Sequence, residues 1–405
     1  MSVVARPPIV TGALLVRMAT VVASSIGFFL PFSVVPEYAE RSAGPAVAGA
    51  ANAALLVTTV AVELAAPALV ARIGYRWALG LGLLALGAPT LVLLASSDAA
   101  VVIAVSALRG VGFAITVVAG GALTAELVPA ERRGEGLALV GLVSGVSALV
   151  ALPTGSWLAQ VAGYGVVFAA TAVVPIVSVL TVPFLPGRPA MAERVAAVKR
   201  AAGVERASGV ERVAGVKRAA GVGAGLRTPA LMWPAAIFAA SAAGTGVLAT
   251  FVPLAVRGGP IWLAPAALLA QSATAALARW VAGRAGDRRG HERLLLPGLL
   301  MSASGLAAVS LTSSSVSVLA GAAVFGAGFG VLQNATMTIM YARVHPEQFS
   351  TVSALWNAAY DSGMAAGAFA VGLLAPLTGY PPALLLTAAL MAATLPLIPR
   401  ARRSP

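Results

Sequence analysis

The sequence predicts an all-α membrane protein: twelve transmembrane helices in two six-helix bundles related by a pseudo-two-fold axis. Composition points to it first, since 59% of the 405 residues are hydrophobic and only 10% are charged. With a mean hydropathy of +0.92, the chain has too little polar surface for a soluble domain, so the bilayer is its natural solvent. Apolar runs long enough to cross roughly 30 Å of hydrocarbon, about 20 residues each, recur along nearly the whole chain. The two halves also resemble one another at a fixed offset. Lipid offers no hydrogen-bond partners, so spanning segments are helices or a closed barrel. Barrel strands alternate in units of roughly ten residues, whereas Trp77 to Ala95 is a single uncharged run.

Charges and Pro/Gly clusters cut the chain into runs near 9–36, 45–71, 77–96, 99–122, 136–160 and 165–185, and then 230–256, 261–283, 294–312, 316–341, 350–376 and 381–398. The expected organisation is a first bundle over 1–186, a basic linker over 187–228 and a second bundle over 229–405. The run from Ile9 to Val35 is too long for a signal-peptide core and reads as a retained first helix. The linker contains a hexapeptide repeat opened by Arg194, Arg200, Arg206, Arg212 and Arg218. Its period of six fits neither a helix face nor a heptad. It reads as low-complexity sequence, with an amphipathic element on anionic headgroups as the alternative.

The formal charge of +13 raises the question of nucleic acid. Its distribution answers it. With the N-terminus inside, the loops holding Arg72 and Arg76, Arg132 and Arg133, the hexapeptide array, Arg284 to Arg293, and Arg343 all fall on one side, with only Arg41 and Arg257 on the other. Positively charged loops stay cytoplasmic. The excess charge is therefore an orientation signal, and the expectation is an inner (cytoplasmic) membrane protein with both termini cytoplasmic and no nucleic-acid partner. The absence of cysteine excludes disulfides and thiolate metal sites.

The internal offset is 216 to 217 residues: Val35-Pro36 corresponds to Val252-Pro253, Pro129 to Pro346, and Gly163-Tyr164 to Gly379-Tyr380. Matches in order at one spacing imply two homologous halves, an architecture that places a solute site between repeats. The same offset aligns Pro67-x-x-x-Ala71-Arg72-x-Gly74 with Gly283-x-x-x-Asp287-Arg288-x-Gly290. The second stretch resembles the cytoplasmic-loop motif of the major facilitator superfamily. The resemblance implies that its first glycine permits close packing, Asp287 and Arg288 pair with neighbouring helix ends, and the last glycine makes the turn.

Other positions resemble the drug-proton antiporter branch and related efflux permeases. Ser106-x-x-Arg109-Gly110-x-Gly112 is similar to a motif of the fourth helix, with Ser106 and Arg109 departing from it. Pro153 and Gly155 fall in a stretch similar to the helix-5 antiporter motif, where Leu152 replaces a glycine. Trp356, Asn357, Tyr360, Asp361 and Gly363 resemble an eleventh-helix segment of efflux permeases. The resemblance covers the chain apart from the linker.

Ionisable side chains inside a bilayer are costly and are functional candidates by default. Asp361 is the first candidate for proton exchange, the alternative being a structural hydrogen bond. Glu63, at the offset position of Arg279, is a second carrier or a partner for a cation. Arg109, near mid-helix, either holds a substrate carboxylate or pairs with Glu63. Arg279 is read as snorkelling or pairing with Asp287 rather than touching substrate. Arg17 is expected to snorkel, and Glu37 to be a solvated gate residue. Gln271, Gln333, Asn334 and Asn357 are cavity candidates, because the resemblance implies that their helices line one; interhelical hydrogen bonding is the alternative. Phe113, Trp157, Trp356 and Tyr360 are candidates for an apolar wall. Gly326-x-x-x-Gly330 and Gly363-x-x-x-Gly367 read as packing pairs.

No phosphate-binding Gly-x-x-x-x-Gly-Lys-Ser/Thr loop occurs, and the two histidines, His291 and His345, sit apart in loops. No cofactor, no metal and no enzymatic activity are expected. The expected function is secondary active transport: proton-coupled efflux of a small amphipathic compound, a drug or secondary metabolite, by a monomer. Transport of a sugar, amino acid or other polar nutrient is the alternative within transporters, and a non-transporting membrane receptor or scaffold the alternative outside them.

Overall fold

The computed structural model describes residues 11–128, 133–187, 228–345 and 348–403. The hexapeptide array, Pro129 and Pro346 lie outside these residues. The first half consists of α1 (Gly12–Ala43, broken near residue 30), α2 (45–73), α3 (75–94), α4 (Ala99–Leu127), α5 (Arg133–Ala162) and α6 (Tyr164–Phe184). The second half consists of α7 (Pro229–Ala255), α8 (Leu263–Arg289), α9 (His291–Val309), α10 (Ser315–Ala342), α11 (Phe349–Thr378) and α12 (Tyr380–Ala392), with a short helix Leu397–Arg403 after it. Nine segments of the described residues are long and apolar enough to span a membrane; α2 and α3 count there as one, while the polar α8 and the 13-residue α12 are not among them.

Glycines at positive φ set the helix junctions. Gly74 (φ 80) and Gly290 (φ 88) end α2 and α8, and Gly163 (φ 86) and Gly379 (φ 80) open α6 and α12. These are two equivalent pairs at the sequence offset, and only glycine adopts this backbone without strain. Polar caps close other ends: Asp98 accepts from the amides of Ala100 and Val101, and Ser314 accepts from Ser317.

The halves repeat each other down to single contacts. Thr58 Oγ1 donates to the Ala107 carbonyl (2.9 Å), joining α2 to α4, and Thr274 Oγ1 donates to the Ala323 carbonyl (2.8 Å), joining α8 to α10. A Cβ at Gly110 would lie 2.1 Å from the Leu55 carbonyl oxygen, and one at Gly326 would lie 2.1 Å from that of Gln271. Small residues admit this approach, and the threonine bond is made where no water competes.

The halves meet chiefly through α2 against α11 and α5 against α8. Gly49 packs on the Ala368 backbone, Gly372 on that of Pro45, and Asn52 donates to Thr250 Oγ1 at 2.8 Å. These ties sit toward the end of the bundle opposite the termini, here called the distal end. At the terminal end Arg343 donates to the Ala230 carbonyl (2.7 Å) and to that of Ala401, tying α7, α10 and the closing helix together.

Filling either repeated glycine contact overpacks a helix pair. Gly110→Val and Gly326→Val are each expected to lower stability by about 1–3 kcal/mol, read as a lower midpoint of thermal unfolding of the purified protein. Unchanged midpoints for both variants would show that these contacts do not hold the pairs together.

Candidate functional site

Between the halves, on the terminal side of the distal ties, lies a cavity of about 500 Å³, within the range of small-molecule sites. Its first-half wall is mostly apolar: Phe29 and Phe32 from α1, and Leu142, Val146, Leu149 and Leu152 along one face of α5, with Ser144 beside them. The second-half wall is polar, with Gln271 and Arg279 from α8, Gln333 from α10 and Tyr360 from α11. Gln271, Ala275 and Arg279 recur every four residues and so share one helix face. Arg279 is the one charged residue among the described residues that line the cavity, it is solvent-accessible, and it has no carboxylate or hydrogen-bond partner among the described residues. The Tyr360 hydroxyl lies within its electrostatic reach.

An aromatic stack supports the polar wall. Tyr360 lies in a stack with Phe238 (centroids 5.8 Å apart) and Trp356 (6.2 Å), and Trp356 donates its indole N–H to Thr336 Oγ1 at 3.1 Å. Next along α11, Asp361 is buried, 9% exposed, and close enough to Glu63 of α2 for their charges to interact. One carboxyl group from each half thus lies at the junction of the halves, α2 against α11.

A polar cluster holds the distal end. Glu40 accepts from Arg257 (2.7 Å) and from the Tyr380 hydroxyl (3.1 Å), so one first-half carboxylate takes two second-half donors. Glu37 accepts from the Tyr164 hydroxyl at 3.0 Å and pairs with Arg41 at 3.7 Å.

A bilayer-crossing bundle of two repeated halves around one central cavity is matched by the family model described as Major Facilitator Superfamily, over residues 18–270 and 261–405. The chain belongs to that superfamily of membrane transporters. Solved structures similar to this facilitator include a bacterial homologue of the human lysosomal transporter Spinster in an inward-facing, unoccupied conformation, with a TM-score of 0.75 and 13% identity over 97% of this chain and 96% of that one. The nucleoside transporter NupG is similar with a TM-score of 0.73 and 11% identity over 97% of this chain and all of the other. Identities this low speak to the fold alone. No curated protein sequence matches the chain.

The facilitator's sequence candidates divide by depth. Gln271, Gln333 and Tyr360 line the cavity. Trp356 stands behind Tyr360, and Phe113 stacks on Phe28 (3.8 Å) one layer behind Phe29 and Phe32. Asn334 turns toward Gly283, and Asn357 is half-buried; neither is on the cavity wall. Trp157 lies outside the cavity, half exposed in a shallow recess with Pro153, Thr154 and Trp262, because α5 turns its 142–152 stripe inward and this residue off it.

Arg109 is also outside the cavity and is not paired with Glu63. Gly110 and Gly112 press α4 against α2 and α3, which aims residue 109 at α1, where it donates to the Gly27 carbonyl at 3.0 Å and leaves Nε without a partner. Arg17 does not snorkel: it is 4% exposed and donates to the Gly120 carbonyl (3.1 Å), Thr124 and Thr20. Glu37 is buried rather than solvated, 4% exposed, because Tyr164 and Arg41 cover it. Arg279 is the cavity residue that sequence reasoning set aside; its spacing from Gln271 was the available signal.

In the loop motif, Gly74 and Gly290 make turns, Arg72 and Arg288 are exposed, and Gly283 meets only the Asn334 amide. Asp287 faces His291, one turn on, at 3.8 Å rather than a neighbouring helix end. The close approach belongs to Gly286, against the His291 ring. In the helix-5 motif a Cβ at Gly155 would lie 1.8 Å from the Leu30 carbonyl oxygen, so this glycine seats α5 on the break in α1.

Arg109 is a buried cation with no carboxylate partner among the described residues, and such groups cost stability. Arg109→Met is expected to leave the thermal midpoint unchanged or raise it. A clear fall would mean that the guanidinium contributes more by its bonds than its burial costs.

Proposed function

We propose that this facilitator couples inward proton movement to export of a small amphipathic compound by alternating access. The carrying observation is the Glu63–Asp361 pair, one carboxyl from each half, beside a cavity with one apolar and one polar wall. Two ionised carboxylates at close range repel strongly in low dielectric, and a proton shared between them removes that repulsion. Proton occupancy therefore biases whether α2 and α11 stay together, which is how a bound ion shifts a two-state equilibrium. With both termini cytoplasmic, as the basic loops predict, the distal cluster closes the outer face and the cavity is reached from inside. Cargo enters there, the halves rock, and Asp361 with Glu63 takes a proton from outside as cargo leaves. A monomer contains all of these parts.

The test is substrate-induced proton release from acidified everted vesicles, followed with a pH-sensitive dye across a panel of amphipathic compounds at matched expression. Asp361→Asn is expected to reduce the response at least tenfold and Glu63→Gln to weaken it. Wild-type proton release from Asp361→Asn would sink the coupling assignment; a wild type that answers no compound would sink export of amphipathic cargo.

A further inference from the structure

The one cation among the described residues that line the cavity defines the cargo more narrowly. We infer that the transported compound is an amphipathic anion whose acidic group is received by Arg279, with its apolar body against Phe29, Phe32, Leu149 and Leu152; this rests on the export reading above. Arg279 projects into the cavity with no carboxylate or hydrogen-bond partner among the described residues. Asp287, two turns away, is exposed and lies beside His291 instead, at 3.8 Å. In the open state water solvates the guanidinium. Alternating access must occlude the cavity, and occlusion strips that water away. A neutral cargo leaves a charge buried without a partner, whereas a carboxylate, sulfonate or phosphate supplies one, in a bond of two parallel N–H donors that guanidinium geometry favours. The wall thus selects against neutral molecules of the same shape as well as for anions.

The rest of the cavity fits the same occupant. Gln271 and Arg279 lie eight residues apart on one face of α8, about 12 Å at 1.5 Å per residue. The acidic end of the cargo therefore sits by Arg279 and Tyr360 toward the terminal end, and the opposite wall presents mostly apolar side chains to its body, Ser144 being the polar exception among the described residues. The carboxyl pair stays off the cavity lining, and no carboxylate is among the described residues that form it.

The test uses two dyes that differ only in the charged group: 1-anilinonaphthalene-8-sulfonate and neutral N-phenyl-1-naphthylamine. Their fluxes are compared in proteoliposomes holding the full chain under a proton gradient, for wild type, Arg279→Gln, Arg279→Lys and Asp361→Asn. The inference expects the wild type to favour the sulfonate, the sulfonate-to-neutral flux ratio to fall at least tenfold in Arg279→Gln, and Arg279→Lys to restore part of it. An unchanged ratio in Arg279→Gln, or a wild type that favours the neutral dye, overturns the anion inference; gradient-driven flux that Asp361→Asn still blocks would leave the export reading standing in that case. A correctly folded wild type that moves neither dye overturns both.

Discussion

The structure depends on helices brought to backbone contact without a hydrophobic force to drive them together. Lipid tails are as apolar as leucine, so helices associate through packing and through bonds made where water is absent. The approach of α4 to α2 at Gly110 and of α10 to α8 at Gly326, each beside a threonine bond, supplies this in both halves. Once those contacts are set, the rotation of each helix follows. Residue 109 faces α1 for this reason, and the Gln271, Ala275, Arg279 stripe reaches the cavity because α8 is held by its backbone at Gln271.

Two copies of one frame have acquired different surfaces. Arg109 and Phe325 stand at equivalent positions; one is a buried cation bonded to α1, the other an aromatic ring under the stack that carries Tyr360. Glu63 and Arg279 are equivalent as well, and they divide between the junction of the halves and the cavity wall. The first half contributes an apolar wall and the second a polar one. The junction itself contains one carboxyl from each half, Glu63 on α2 and Asp361 on α11.

Much of this frame was legible in the sequence. Apolar run length marked the twelve crossings within several residues, and Gly74, Gly163, Gly290 and Gly379 marked their junctions and the duplication together. Helix rotation was not legible. A soluble helix declares its buried face by contrast with a polar one, but lipid-facing and core-facing sides are both apolar here, so Trp157 and Leu152 look alike in sequence although one faces outward and the other the cavity. Partners were misread where they are backbone carbonyls, since Arg17 and Arg109 donate to those of Gly120 and Gly27, which no charge pattern reveals. The burial of Glu37 likewise depends on Tyr164, 127 residues away.

The distal cluster has a kinetic meaning of its own. Glu40 takes both Arg257 and Tyr380 from the opposite half, so parting the halves there breaks two bonds to one carboxylate in a single event. Such a fastening yields all at once rather than fraying. It sets how seldom the two halves of the empty carrier part, and a looser one would trade that restraint for speed.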